Sequence, residues 1–517
     1  MADEKTAPIT AGAPEVGTTE AANRADTADT AGTAEPVPRP PGWMYKGFKV
    51  GKQEIWYASP IVQLLMVAMV CFLCPGMFNA LTGLGGGGQV DPSAQNDAAT
   101  ALNSTFAIVA FFSGTIANKL GVKATLAFGG LGYCIYTGSF LSYNHNQNRG
   151  FVVFAGAFLG VCAGLLWTAQ GTIMMSYPPE EKKGRYISYF WIIFNLGAVI
   201  GALVPLGQNV NATGATNVTD GTYIGLIVLM VTGALLALAL CNADKVRRAD
   251  GSKVILMKNP SWKTEFIGLF ETITSSPWVI LLFPMFFASN VFYTYQLNDF
   301  NGAHFNTRTR ALNNLLYWSS QIFGAMIFGY GLDYAGVRRS VRAKVSLVAL
   351  FAVTFAIWGG GYAWQIKQVT RDVVEAKEPE YKRVDWTDGG ELYIGPMFLF
   401  IFYGFFDAAF QTSIYWYMGA LSNSGRKAAN LAGFYKGIQS AGAAVFWRLD
   451  GLRTPYNTMF GATWGLLVGS IIIAAPVIFM RIKDTVTVEE DLKFSDETVE
   501  DIVPTRDVVT HFKQDAV

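Results

Sequence analysis

GTIANKLGVK, from Gly114 to Lys123, and GYGLDYAGVRR, from Gly329 to Arg339, carry one pattern twice. Gly114, Asn118 and Gly121 in the first stretch have the same spacing as Gly329, Asp333 and Gly336 in the second, an offset of 215 residues. The pattern has a physical reading. A glycine near a helix end lets neighbouring helices approach, and a second glycine permits a tight reversal. A carboxylate or amide between them can cap a helix start and meet basic groups. Found at equivalent places in two halves, the pattern indicates duplication.

The flanking sequence says what is duplicated. Of 517 residues, 51% are hydrophobic and 15% charged, against roughly 25% charged in a soluble domain; the mean hydropathy is +0.29. The apolar residues gather in runs long enough to cross a bilayer as helices, the form that satisfies every backbone polar group in lipid. Spans are expected near 59–81, 100–118, 123–142, 151–176, 187–206, 222–241, 276–297, 311–331, 344–364, 393–416, 427–447 and 458–480. The expectation is an all-α polytopic membrane protein of twelve transmembrane helices in two six-helix halves. Residues 1–45 read as a disordered cytosolic tail, 46–241 as the first half, 242–275 as a basic cytosolic linker with an amphipathic helix, 276–481 as the second half, and 482–517 as an acidic cytosolic tail.

Loop charge orients the chain. Lys119, Lys123, Lys182, Lys183, Arg185, Arg338, Arg339, Arg342, Lys344, Arg426 and Lys427 all fall on the side of the N-terminus, whereas loops 82–99 and 207–221 hold no Lys or Arg. Both termini are therefore expected in the cytosol. The sequons at Asn211 and Asn217 fall in an outer loop, where glycosylation requires them. A third, at Asn103, sits too close to a span to be reached. The net charge of +1 gives no reason to expect nucleic acid. The five cysteines lie in or at the ends of apolar runs, and Cys71 and Cys74 read as packing residues. The Gly85–Gly88 run lacks the Gly-Lys-Ser/Thr of a phosphate loop and reads as a flexible turn. No catalytic constellation and no cofactor site is apparent, so no enzyme activity is expected.

The duplicated loops resemble the Gly-x-x-x-Asp-x-x-Gly-x-Arg-Lys/Arg signature of the major facilitator superfamily. The second copy fits it, with Arg338 and Arg339 in the basic places. The first departs, with Asn118 in the aspartate place and Val122 in the first basic place. FNALTGLGGGGQVD, GLLWTAQGTIMMSYPPEEKKGRYISYFW and GFFDAAFQTSIYWYMGALSN resemble the fungal unc-ninety-three-like branch. The resemblance implies inner gate loops at the duplicated motif. It also implies a central cavity lined by the first, fourth, seventh and tenth spans. Gln63, Asn79, Trp167, Gln170, Asn195, Asn290, Tyr293 and Gln296 would give that cavity an aromatic, uncharged lining suited to a small neutral or amphipathic solute.

Ionisable groups deep in a span are costly and mark function. Asp407 and Lys436 stand mid-span on adjacent helices, with Gln411 and Gln439 one turn on. One reading makes them a proton- or ion-coupling site with Asp407 changing protonation; the other makes them a buried pair that fixes packing. Two functions follow. The chain is a secondary transporter of a small solute, with protons as the coupling ion, or it is a non-transporting adaptor, such as a channel-regulatory subunit or a receptor-trafficking partner, bound to another membrane protein. The mixed charges of loop 365–392 read as a solvated surface.

Overall fold

The computed structural model describes residues 40–50, 53–110, 112–177, 183–214, 216–248, 254, 262–334, 336–376, 381–421 and 425–484. Most of both expected tails and the centre of the linker lie outside them. So do the side chain of Asn118 and the basic groups at 182–185 and 426–427.

A hairpin that hydropathy does not predict, β1 (Phe48–Val50) and β2 (Gln53–Ile55), precedes the first span. That span is broken. α1 (Pro60–Leu73) starts at Ser59, whose Oγ accepts from Val62 N, with Pro60 at the first helical position,. Pro75 then removes a backbone donor, and α2 (Pro75–Thr82) begins anew after a distorted Cys74,. The second span is α3 (Ser93–Val109) with α4 (Ser113–Leu120), followed by α5 (Val122–Asn146), α6 (Arg149–Ser176), α7 (Lys183–Asn209) and α8 (Asp220–Leu238). The linker carries α9 (Trp262–Ser275). The seventh span joins a 3-10 turn (Pro277–Leu282), α10 (Phe283–Ala288) and a π-helical stretch (Thr294–Gly302). α11 (Thr307–Leu332), α12 (Arg339–Gln365), the short loop helix α13 (Arg371–Glu375), α14 (Gly390–Leu421), α15 (Gly425–Gly451) and α16 (Tyr456–Arg481) complete the bundle.

Seven of these helical segments are long and apolar enough to cross a membrane by length and composition. The other expected spans are built of shorter or more polar helices. α11 buries Thr307, Thr309, Arg310, Asn313, Asn314, Ser320 and Gln321. Such groups survive at membrane depth only where protein satisfies them, so α11 turns its polar residues inward.

Each half has its own apolar core. Within lipid, close packing replaces the hydrophobic drive between helices, and small residues at the contact permit it. In the first half, a Cβ at Gly156 or Gly160 of α6 would fall 2.3 and 2.2 Å from backbone oxygens of α3. The halves meet where α3 packs on α15 and α7 on α11.

The duplicated motif behaves differently from its sequence reading. Gly121 does turn the chain between α4 and α5 with φ +80°. Gly329, however, has open space where a Cβ would stand, so no close helix approach accounts for it. Asp333 caps no helix either: its Oδ1 accepts from Trp416 Nε1 at 3.0 Å. Arg339 donates to Gly419 O at 3.2 Å, and the Arg342 guanidinium lies over the Trp416 ring. The start of α12 is capped from elsewhere, by Asp484 on Ser340 N at 2.9 Å. The second copy of the motif thus ties the end of the eighth span to the end of the tenth. Below, this face of the bundle is the signature end, and the face with loops 83–92, 210–219 and 365–392 is the sequon end.

Candidate functional site

Asp407 sits on α14 with no exposed surface. Its Oδ2 accepts from Tyr293 Oη (2.6 Å), Gln321 Nε2 (2.5 Å) and Tyr317 Oη (3.3 Å), and its Oδ1 from Gln411 Nε2 (2.6 Å). Two phenols and two amides therefore hold the carboxylate, and no cation among the described residues pairs with it. Lys436 on α15 donates from Nζ to Gln439 Oε1 at 3.0 Å. Its ammonium rests among the rings of Tyr435, Trp167 and Tyr415, 5.1–5.6 Å from their centroids.

Asp407 and Lys436 form no direct ion pair, contrary to the simplest expectation for two adjacent mid-span charges. A chain of amides joins them instead. Gln411 Nε2 bonds Asp407, and Gln411 Oε1 accepts from Gln439 Nε2 at 3.4 Å and Tyr435 Oη at 3.3 Å. Gln439 Oε1 then receives the lysine. Ser289 Oγ (2.9 Å) and Asn290 Oδ1 (3.2 Å) also accept from Gln439 Nε2. The glutamines hold this place because they lie one turn from the charges on the same helical faces.

The expected lining comes together only in part. Tyr293 and Asn290 join the chain, and Gln296 Oε1 accepts from Tyr317 Oη at 2.8 Å. From the first half, Trp167 arrives, its ring edge-on to Phe194. Gln63 does not belong here: its amide links Tyr57 O to Cys241 N at the signature end and ties the first span to the sixth. Gln170 is buried and bonds only its own helix, at Met174 Sδ. Asn195 is buried on α7 and Asn79 half-buried on α2. Tyr317, Gln321 and Tyr435 went unnoticed in the sequence, since a tyrosine or glutamine in an apolar run gives no signal of what it touches.

A second polar assembly closes the sequon end across the two halves. Arg371 of α13 is 5% exposed and donates from Nη2 to Asp299 Oδ1 (2.8 Å) and Asp450 Oδ1 (2.5 Å). Asp450 Oδ2 accepts from Asn96 Nδ2 (2.8 Å) and Asn298 Nδ2 (2.9 Å), and Asn298 Oδ1 accepts from Gly86 N (2.9 Å). Arg310, buried at the start of α11, donates to Leu84 O, Gly85 O and Gln89 O. The Gly85–Gly88 run that receives it is no loose turn. Gly86, Gly87 and Gly88 are buried, and all four glycines have positive φ. Asn301 and Asn314 bond Gly83 O and Ala80 O. Loop 365–392 is likewise more than a solvated surface, since Arg371 and Asp385 are buried.

Residues 51–367 match the Major Facilitator Superfamily. An UNC93-like protein of Schizosaccharomyces pombe is 51% identical over 450 residues, covering 87% of this chain and 88% of the relative. UNC93-like protein 1 of Arabidopsis thaliana is 40% identical over 428 residues, covering 83% and 92%. The chain belongs to the major facilitator superfamily, among its UNC93-like members. It is a multi-pass integral membrane protein with the superfamily fold. The xylose transporter XylE of E. coli, in a partially occluded inward-open conformation, superposes with a TM-score of 0.57 at 15% identity, covering 83% of this UNC93-like chain and 99% of XylE. A D-xylose-proton symporter superposes with a TM-score of 0.55 at 13% identity, covering 82% and 99%. At such identities the likeness concerns the fold.

Proposed function

We propose that this UNC93-like protein is a secondary transporter that moves a small solute by alternating access, coupled to protons through Asp407. One observation carries the reading: a fully buried carboxylate held by four neutral donors and joined by amides to a lysine on the next helix. Neutral donors hold such a group ready in either protonation state, whereas a direct ion pair would fix its charge. The clasp at the sequon end supplies the second requirement, a joint between halves that can be made and broken. Loop charge supports both termini in the cytosol, and with them the sequon end outside. Asn211 and Asn217, both exposed, are then glycosylation sites, which a glycosidase-induced mobility shift lost in Asn211→Gln and Asn217→Gln would check.

The decisive experiment uses purified protein in liposomes, screened over sugars, amino acids, metabolites and ions with and without a proton gradient. A solute whose flux follows the gradient, with pH dependence lost in Asp407→Asn, supports the proposal. Unchanged pH dependence in that variant removes the coupling role. Absence of all flux, with another membrane protein co-purifying stably, points instead to the adaptor.

A further inference from the structure

A cavity of about 970 Å³ lies away from the polar chain, in a lateral cleft between α12 and α14. Its lower walls are apolar, from Ala356 and Ile357 on one helix to Phe398 and Phe402 on the other. Phe398 and Phe402 are half exposed, on the outer surface of the bundle. Gly360 and Gly395 line the cleft, and a Cβ at either would meet nothing within 4 Å. The wall on α12 runs from Ala356 to Trp364, with Lys367 just past the helix end, and that on α14 from Leu392 to Phe402. At 1.5 Å per helical residue they are about 12 and 15 Å long. Such lengths approach half the ~30 Å hydrocarbon core of a bilayer, the depth of one leaflet.

The upper end is polar and built. Val384 N donates to His304 O at 2.8 Å and Asn306 N to Val384 O at 3.1 Å, so the loop lies as a strand beside residues 304–306. Arg308 grips Asp385 with two hydrogen bonds behind it. Lys367 and Lys382 stand at the rim. Lys382 is paired with Asp388 at 3.2 Å, whereas Lys367 has no ion pair among the described residues. His304 lines the cleft at 1% exposure; its Nδ1 meets Tyr381 Oη at 3.2 Å, and its Nε2 is buried without a hydrogen-bond partner.

We propose that this cleft holds one anionic phospholipid, an acyl chain between α12 and α14 and its headgroup oxygens at Lys367. The apolar walls match a single chain in depth, and the exposed rim lysine matches the negative headgroup. A soluble anion would need no apolar trough, and a neutral lipid would leave the lysine without use.

Native mass spectrometry of the full-length protein in detergent, titrated with phosphatidylserine or phosphatidylcholine, tests the site. The expected result is one phosphatidylserine retained per chain, at least tenfold more tightly than phosphatidylcholine. Gly395→Trp fills the trough and abolishes retention of either; Lys367→Glu keeps lipid binding but loses the preference. Gly360→Leu serves the same purpose if Gly395→Trp elutes as aggregate. Equal retention by the wild type and a folded trough-filled variant, or no preference for the anionic lipid in the wild type, would overturn the proposal.

Discussion

At the scale of single residues, Asp407 is held by buried and half-buried groups that depend on it. Asp407→Ala removes the acceptor for Tyr293, Gln321 and Gln411 together, while Tyr317 keeps its bond to Gln296. Buried donors without partners cost about 1–3 kcal/mol each, so a thermal midpoint in detergent well below that of Asp407→Asn is expected. Trp167→Ala strips one ring from around Lys436 and should cost about 1 kcal/mol. Trp167→Phe keeps a ring there and should recover most of that loss in the same melt. The carboxylate and the lysine could be picked out of the sequence because charge in an apolar run is conspicuous. Their partners could not, because membership in the chain depends on which faces of five separate spans come together. Asp299 and Asp450 escaped for another reason: each lies near a span end, where a charge ordinarily meets water, and it is Arg371 from a distant loop that buries them.

Among elements, loop 365–392 shows how far local composition can mislead. Its alternating charges look solvated, yet α13 plants Arg371 inside the bundle and Asp385 anchors the strand at 304–306. Burial by itself would raise the Asp385 carboxyl, but hydrogen bonds from Arg308, Thr387 and Asn306 overcome it and hold the group well below the usual carboxylate range. A carboxyl depressed in the folded state contributes stability that is present above its unfolded value near 3.9 and lost as pH falls through the folded one. Loop protection in hydrogen exchange should therefore be flat from pH 8 to 5 and decline only below about pH 4. Asp385→Asn should lower that protection from pH 8 to 5, by roughly 2 kcal/mol for the lost charged hydrogen bonds, with the difference shrinking below about pH 4. Gly85→Ala tests the facing element. The residue has φ +72°, and its new Cβ would lie 2.3 Å from Leu297 O, so the seventh span and the glycine turn could not meet as they do.

Over the whole molecule, the fold was written plainly in the chain: apolar runs gave the spans, and the spacing of two loops gave the halves. The break at Pro75 was less visible, since it falls inside a run whose composition continues unbroken, whereas the π-helical stretch TYQLNDFNG is itself polar and runs past the expected end of its span. Nothing in hydropathy reveals that the sequon end is clasped, because the clasp joins residues as far apart as Asn96 and Asp450. Arg371→Leu would leave two buried carboxylates facing each other without their cation, and breaking a buried pair in this way costs about 3–5 kcal/mol. The expected outcome is a shift toward separation at that end, read as a longer spin-label distance between the sequon-end tips of α3 and α15 with the signature-end distance moving in the opposite sense. Unchanged distances would mean that the clasp does not set the balance between states.

The glycine turn also makes adjustment of that closure one-sided. Its receiving surface is peptide backbone, offering Arg310 only carbonyl oxygens from Leu84, Gly85 and Gln89. A surface of that kind cannot be graded by exchanging side chains: a residue there either keeps the chain path or destroys it. The strength of the joint can be varied in steps only from the opposite face, by exchanging Arg310, Asn301 or Asn314 for residues that reach fewer oxygens.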